Sequence, residues 1–161
     1  MRVLGVDPGS SCTGYGVLDG DREPRIVTSG VIRAGKGSLA ERLARIHAGI
    51  SEVLRDQRPE AVAVEEVFHA RNARSALVLG HARGVVLLAA GQAGLRVYEY
   101  PARRVKQTVT GSGNADKTQV RSMLVRCLGS APEQLDASDA LAVALCHLRW
   151  AAVPGMQEVR G

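Results

Sequence analysis

Residues 61–64, Ala-Val-Ala-Val, form a continuous apolar run of strand length that ends in Glu65 and Glu66, and this run leaves few folds open. A strand apolar at every position is covered on both faces, so helices must pack above and below the sheet that holds it. The neighbouring sequence supplies them. Before the run, Leu39, Leu43, Ile46, Ile50, Val53 and Leu54 recur at helical spacing, with Ser38 as a candidate N-cap, Glu41 three residues on, and Pro59 closing the helix. After it, the pattern predicts a second helix over about 72–93 and a strand over 95–100, which makes a βαβ unit. Ahead of both, residues 2–7, 15–18 and 25–32 read as three strands, turned by Pro8-Gly9-Ser10-Ser11 and Asp19-Gly20-Asp21. Strands that close together form an antiparallel meander. Further on, Gly111-Ser112-Gly113-Asn114 is a loop, a third helix opens at Ala115 or Asp116 and runs to Leu128, and a last helix runs from about 136 to 152. The expected order is β-β-β-α-β-α-β-α-α. It describes an α/β fold with a mixed five-stranded sheet, antiparallel meander plus parallel strands, and helices on both faces.

A chain of 161 residues with 45% hydrophobic residues can bury one core, so one domain is expected over 1–152, with 153–161 as a short flexible tail. The longest uncharged apolar stretch, 85–90, falls well short of the roughly 20 residues that cross a bilayer, and the N-terminus opens directly on a strand. A cytoplasmic location is expected. Cys12, Cys127 and Cys146 lie far apart with no Cys-x-x-Cys partner, which suggests neither a disulfide framework nor a thiolate zinc site. The formal net charge is +5. Its whole excess is matched by one segment, 101–126, where Arg103, Arg104, Lys106, Lys117, Arg121 and Arg126 face a single acid, Asp116. So local an excess favours a polyanionic partner.

Acids stand where apolar segments make them costly. Asp7 ends the first strand on the face of Val3 and Gly5, and Glu65 ends the apolar run. Asp7 alone is also explained as an Asx cap of the Pro8-Gly9 turn. Glu65 and Glu66 point to opposite faces, so only one can join Asp7, and spacing leaves the two nearly tied. Asp136 and Asp139 stack on one side of the first turn of a helix that is otherwise apolar from Ala140 to Leu145. An N-cap Asp136 with an acid three residues on explains them as capping alone. As a set, such acids repel one another unless a divalent cation neutralises them, and hard oxygen ligands suit magnesium or manganese. A set of this kind serves phosphodiester hydrolysis. There is no Gly-Lys-Ser/Thr phosphate loop, no dinucleotide fingerprint and no His-Glu-x-x-His motif.

Six stretches in order, Val6-Asp7-Pro8-Gly9-Ser10, Thr13-Gly14-Tyr15-Gly16-Val17, Val64-Glu65-Glu66-Val67-Phe68, Ser75-Ala76-Leu77 with Gly80-His81-Ala82-Arg83-Gly84, Val105-Lys106-Gln107-Thr108-Val109, and Asp136-Ala137-Ser138-Asp139-Ala140-Leu141-Ala142, resemble the RuvC family of bacterial Holliday junction resolvases. The resemblance spans nearly the whole chain and implies a ribonuclease H-like fold. It implies a homodimer that binds the four-way junction two-fold symmetrically and nicks two opposed strands, leaving 5′-phosphate and 3′-hydroxyl ends. It also implies functional coupling to the RuvA-RuvB branch-migration complex. Carried over by motif, Asp7, Glu65 (rather than Glu66), Asp136 and Asp139 become the ligands of one or two Mg2+ ions, with Mn2+ able to substitute. Lys106 and Lys117 match family lysines near the scissile strand. Phe68, the single phenylalanine, matches a residue at the junction centre that stacks on or parts bases, although an isolated Phe is also explained as a core anchor.

Arg71, Arg74, Arg103, Arg104 and Arg121 join Phe68, Lys106 and Lys117 as expected DNA contacts, chiefly to phosphates. The small residues of the second helix fit either sheet packing or a two-fold helix contact. Two rival readings share part of the pattern. Another ribonuclease H-like nuclease, acting on hybrid or branched nucleic acid, would keep the acids but need no dimer. A non-catalytic DNA-binding protein would use the acids only as caps and turn formers.

Overall fold

A computed structural model describes residues 1–66 and 72–151 of the chain. The elements in order are β1 (Arg2–Asp7), β2 (Cys12–Asp19), β3 (Arg25–Arg33), α1 (Leu39–Gln57), β4 (Ala61–Glu66), α2 (Ala73–Gln92), β5 (Arg96–Pro101), α3 (Ala102–Thr110), α4 (Lys117–Leu128) and α5 (Leu135–Ala151). The sheet order is β3-β2-β1-β4-β5. β1 pairs antiparallel with β2 and β2 with β3, whereas β1 with β4 and β4 with β5 are parallel. The expected meander and βαβ unit are both present, and β4 is the parallel strand between β1 and β5.

Strand alternation sorts the side chains into two cores. Leu4, Val6, Val17, Val62 and Val64 face α1 and α2, with Ile46, Ile50, Ala82 and Val86 packed on them. Val3, Leu18, Ala63 and Tyr100 face the other way, against α3, α4 and α5. Asp7 shares the parity of Val3, and Glu65 that of Ala63, so both belong to the α5 side.

Local signals account for most helix ends. Ser38 caps α1 in a reciprocal capping box with Glu41, as the sequence suggested. Asn72 caps α2, and Asp116 caps α4 in a second capping box with Gln119. The structure differs from the sequence reading at three points. α3 was not anticipated: Pro101 stands at its N-cap and only Val105 and Val109 bury an apolar edge, too short a pattern to stand out among Arg103, Arg104, Lys106 and Gln107. Asp136 is not an N-cap, because α5 already begins at Leu135 and the amide of Ser138 donates to the carbonyl of Gln134. Finally, α2 is long and apolar enough, by length and composition, to cross a bilayer, which the uncharged run at 85–90 did not suggest. It packs on α1 and β5, and Arg83 within it forms a two-pronged ion pair with Glu99 of β5, both contacts at 2.6 Å.

Glycines decide how closely α5 approaches the sheet. A Cβ on Gly5 would stand 2.1 Å from the carbonyl oxygen of Ala140, and one on Gly14 would stand 2.0 Å from that of Asp136. Gly16, the register partner of Gly5, would meet Leu141 at 2.6 Å. No other residue fits, so these strand glycines form a trough in which the helix backbone lies directly on β1 and β2. This contact carries the first turn of α5 to the end of β1, where Asp7 stands.

Candidate metal centre

β1 and β4 run parallel with Val6 opposite Val64, so the next residues, Asp7 and Glu65, stand side by side at the C-terminal ends of the two strands. Parity separates Glu65 from Glu66. Glu65 faces Asp7, whereas Glu66 acts electrostatically on Arg83 of α2, on the opposite face. Open parallel sheets favour this edge for ligand binding.

The turn after Asp7 is braced from two sides. The fully buried Thr13 donates its hydroxyl to the carbonyl of Gly9 at 3.1 Å and accepts from the Gly9 amide at 3.4 Å. Arg42 of α1 donates to the carbonyl of Ser10. Strand and brace together hold Asp7 on rigid backbone, which explains the buried position better than an Asx cap does.

Asp7, Glu65 and Asp139 line one cavity of about 280 Å3 together with Lys106, Lys117 and the small or apolar Ala102, Val105, Val120 and Ala142. Burial first, then the charges of Glu65, Asp139 and Asp136, push the Asp7 carboxyl up to about 8, with Lys117 opposing them. Burial and Asp139 likewise raise Glu65, against Lys117 and Lys106. Burial leads both shifts, with neighbouring carboxylates adding to it and the lysines opposing it. Lys117, at the first position of α4, donates to Asp139 Oδ2 at 2.9 Å, and this hydrogen bond is the main reason its ammonium is held above the usual lysine range. Among the described residues, no three Asp, Glu, His or Cys side chains are gathered tightly enough to hold an ion as they stand. Asp136 sits at the rim: it acts on Asp7 and on the Cys12 thiol, which burial and Asp136 push up, and it does not line the cavity of the other three.

A second, larger cavity of about 720 Å3 adjoins the first, sharing Asp7, Glu65 and Lys106, and extends past Glu66 and Leu79 to Arg103, Gly113 and Asn114. Arg103 lies along the loop that follows α3, so close that a Cβ on Gly113 would stand 2.7 Å from its Cγ. The other expected DNA contacts scatter. Arg74 is exposed in the first turn of α2, and Arg121 reaches the Glu133 carbonyl at 3.4 Å. Arg104 is stacked on Trp150, 4.2 Å from the ring centroid. Phe68 and Arg71 lie outside the described residues, as do Val67, His69, Ala70 and the expected tail.

Sequence reasoning named all four acids and both lysines but missed what places them. Gly5, Gly14 and Gly16 were the available signal, since glycines inside apolar strands mark close backbone approach. Thr13 carried no such signal.

The family model for crossover junction endodeoxyribonuclease RuvC matches residues 3–147. The protein of that name from Hahella chejuensis is 53% identical over 150 residues, 92% of this chain and 87% of the relative. The one from Halorhodospira halophila is 52% identical over 157 residues, 95% and 93% of the two chains. Among solved structures, T. thermophilus RuvC in complex with Holliday junction substrate superposes with a TM-score of 0.91 at 41% identity over 98% of both chains. Sheet order, carboxylate edge and near full-length similarity agree: this chain belongs to the crossover junction endodeoxyribonuclease RuvC family.

Proposed function

We propose that Asp7, Glu65, Asp136 and Asp139 are the metal-binding set of a structure-selective endodeoxyribonuclease that resolves four-way (Holliday) DNA junctions. One observation carries this reading: acids from β1, β4 and α5 converge on a single cavity that also holds Lys106 and Lys117. The family name and the junction-bound T. thermophilus relative supply the substrate.

The donors fit a hard divalent cation, because they are carboxylate oxygens only and burial, with the neighbouring carboxylates, disfavours the ionised Asp7 until a cation offsets its charge. Mg2+, with Mn2+ in its place, is the proposed ion, one or two per subunit. Once bound, such an ion lowers the pKa of a water for in-line attack and stabilises the leaving oxygen. The chain's own residues do the rest. Asp7 and Glu65, on adjacent strands, give the fixed side of the site. Asp139, and Asp136 beside it, come from the helix laid in the glycine trough. Lys117 now offsets Asp139, so an arriving cation competes with that ammonium for the carboxylate. Lys106 faces the same cavity and offsets phosphate charge, while Arg103 continues the basic lining into the larger cavity. Arg74, Arg104 and Arg121 are further backbone contacts, Phe68 enters the DNA-binding set on the family motif alone, and Arg71 enters it as a basic residue close behind Phe68. Paired nicks leaving 5′-phosphate and 3′-hydroxyl ends follow the family chemistry.

Two opposed nicks need two active sites, and α2 offers the surface for a homodimer. Leu77, Gly80, Gly84 and Leu88 recur along its exposed side, with Leu77 66% and Leu88 53% exposed. A Cβ on Gly80 or Gly84 would meet nothing within 4 Å, so this side is open to close approach by a second helix. The activity is placed in one domain, residues 1–152, in the cytoplasm, coupled to the RuvA-RuvB branch-migration complex. The test is cleavage of a synthetic four-way junction beside linear duplex and RNA–DNA hybrid, with Mg2+ and with chelator. Symmetric metal-dependent nicks confined to the junction support the proposal, and equal cutting of the hybrid would replace it with the more general nuclease.

A further inference from the structure

The glycine trough that brings α5 onto the sheet leaves a mechanical problem. Glycines allow close approach but offer few side-chain knobs to interlock with, so the trough sets the height of the helix better than its position along its own axis. Asp136 and Asp139 need both. A directional contact stands farther along the same helix. His147, two turns beyond Asp139, is buried, and its Nδ1 lies 2.8 Å from the hydroxyl of Tyr100 on β5, which is also buried. The Tyr98 ring packs against the same imidazole with centroids 4.4 Å apart.

Tyr100 has a particular place in the sheet. It is the register partner of Glu65, so one strand pair carries a carboxylate of the site and the hydroxyl that holds α5. From His147 back to Asp139 is eight residues, about 12 Å of helix axis, a span over which an α-helix behaves as a rigid rod. We propose that Tyr100 is a positioning residue for the carboxylate site: through its hydrogen bond to His147 it fixes α5 along the sheet, and thereby the place of Asp139 relative to Asp7 and Glu65. Burial keeps both partners in the required states. It pushes His147 down to about 4, leaving a neutral imidazole, and it raises the Tyr100 hydroxyl so that it keeps its proton; in the Nε2-protonated tautomer Nδ1 accepts that proton's hydrogen bond. Tyr100 lines neither of the two cavities; it acts through the helix.

This inference rests on the metal-site reading, and the two fail differently. Mn2+ affinity of the full chain without DNA is measured by electron paramagnetic resonance for the wild type, Asp7→Asn, Tyr100→Phe, His147→Asn and His147→Leu, with thermal midpoints alongside. Tyr100→Phe keeps the ring and removes the hydroxyl. It is expected to weaken Mn2+ binding about 10-fold, the lower end of what losing a partner of a ligand costs, because the loss reaches Asp139 only through the helix. His147→Asn, which keeps an acceptor near the place of Nδ1, is expected to bind Mn2+ more tightly than His147→Leu, so that the comparison holds even if Tyr100→Phe does not fold. Single-turnover nicking should fall with affinity in Tyr100→Phe while junction binding in Ca2+ does not change. A lower thermal midpoint with wild-type Mn2+ affinity and nicking, or equal affinities for the two His147 variants, overturns the positioning role. Unchanged Mn2+ binding in Asp7→Asn overturns the site reading instead.

Discussion

Replacing Asp7 by asparagine should make the metal-free protein more stable. The carboxyl stands half-buried among Glu65, Asp139 and Asp136, and it is pushed from 3.8 to about 8 in the folded chain. Because the folded value lies above the unfolded one, folding favours the protonated acid. That favourable contribution is fully present below pH 3.8 and is lost as pH rises towards 8, where ionisation brings charge into the crowded cavity. At about 1.4 kcal/mol per pH unit, the shift sets a ceiling on the order of 6 kcal/mol. Asp7 is only partly enclosed, so water and side-chain relaxation reduce the realised effect to roughly 2 kcal/mol. In a chain of this length that is a rise in thermal midpoint of about 4–8 °C. Asp7→Asn should therefore melt higher than wild type at pH 8 in EDTA, with the gap closing as pH falls to about 4. Excess Mg2+ should stabilise the wild type and leave the variant nearly unmoved, shrinking or inverting the gap. Differential scanning fluorimetry over pH, with and without Mg2+, measures all three. A variant no more stable than wild type at pH 8 in EDTA would refute the charge-crowding argument.

The other expectations follow from packing and charge. Gly14→Ala places a Cβ 2.0 Å from the Asp136 carbonyl oxygen, so α5 must shift; a loss of roughly 1–3 kcal/mol in denaturant unfolding and of junction nicking is expected. Lys106→Ala and Lys117→Ala should each reduce the slope of log affinity against log salt by about 1 in junction-binding titrations. Gly84→Leu points into open space and should leave the thermal midpoint near wild type, while sedimentation shows a monomer that no longer nicks opposed strands together.

How much of this was legible in the sequence depends on range. The central strand, the meander and four of the helices follow from apolar period and caps, which are local. α3 did not, because Val105 and Val109 alone give too little pattern and its Pro101 start resembles a strand end. The four acids stood out by contrast with their apolar segments. The choice of Glu65 over Glu66 by spacing did not, since parity selects a face only once the face that carries α5 is known. The rival reading of Asp136 as an N-cap fails for a similar reason: helix starts depend on residues beyond the motif, here Gln134 and Leu135. Arg104 also stacks on Trp150, 46 positions away, and no sequence pattern signals that contact. Long-range pairings of this kind, Tyr100 with His147 among them, leave no local trace.

The most direct check is anomalous diffraction from crystals of the protein soaked in Mn2+. A peak at bonding distance, about 2.1 Å, from carboxylate oxygens of Asp7 and Glu65, with Asp139 turned from Lys117 towards it, is the expected outcome. Mn2+ bound only elsewhere, with Lys117 still on Asp139 at saturating metal, would remove the four carboxylates from the chemistry.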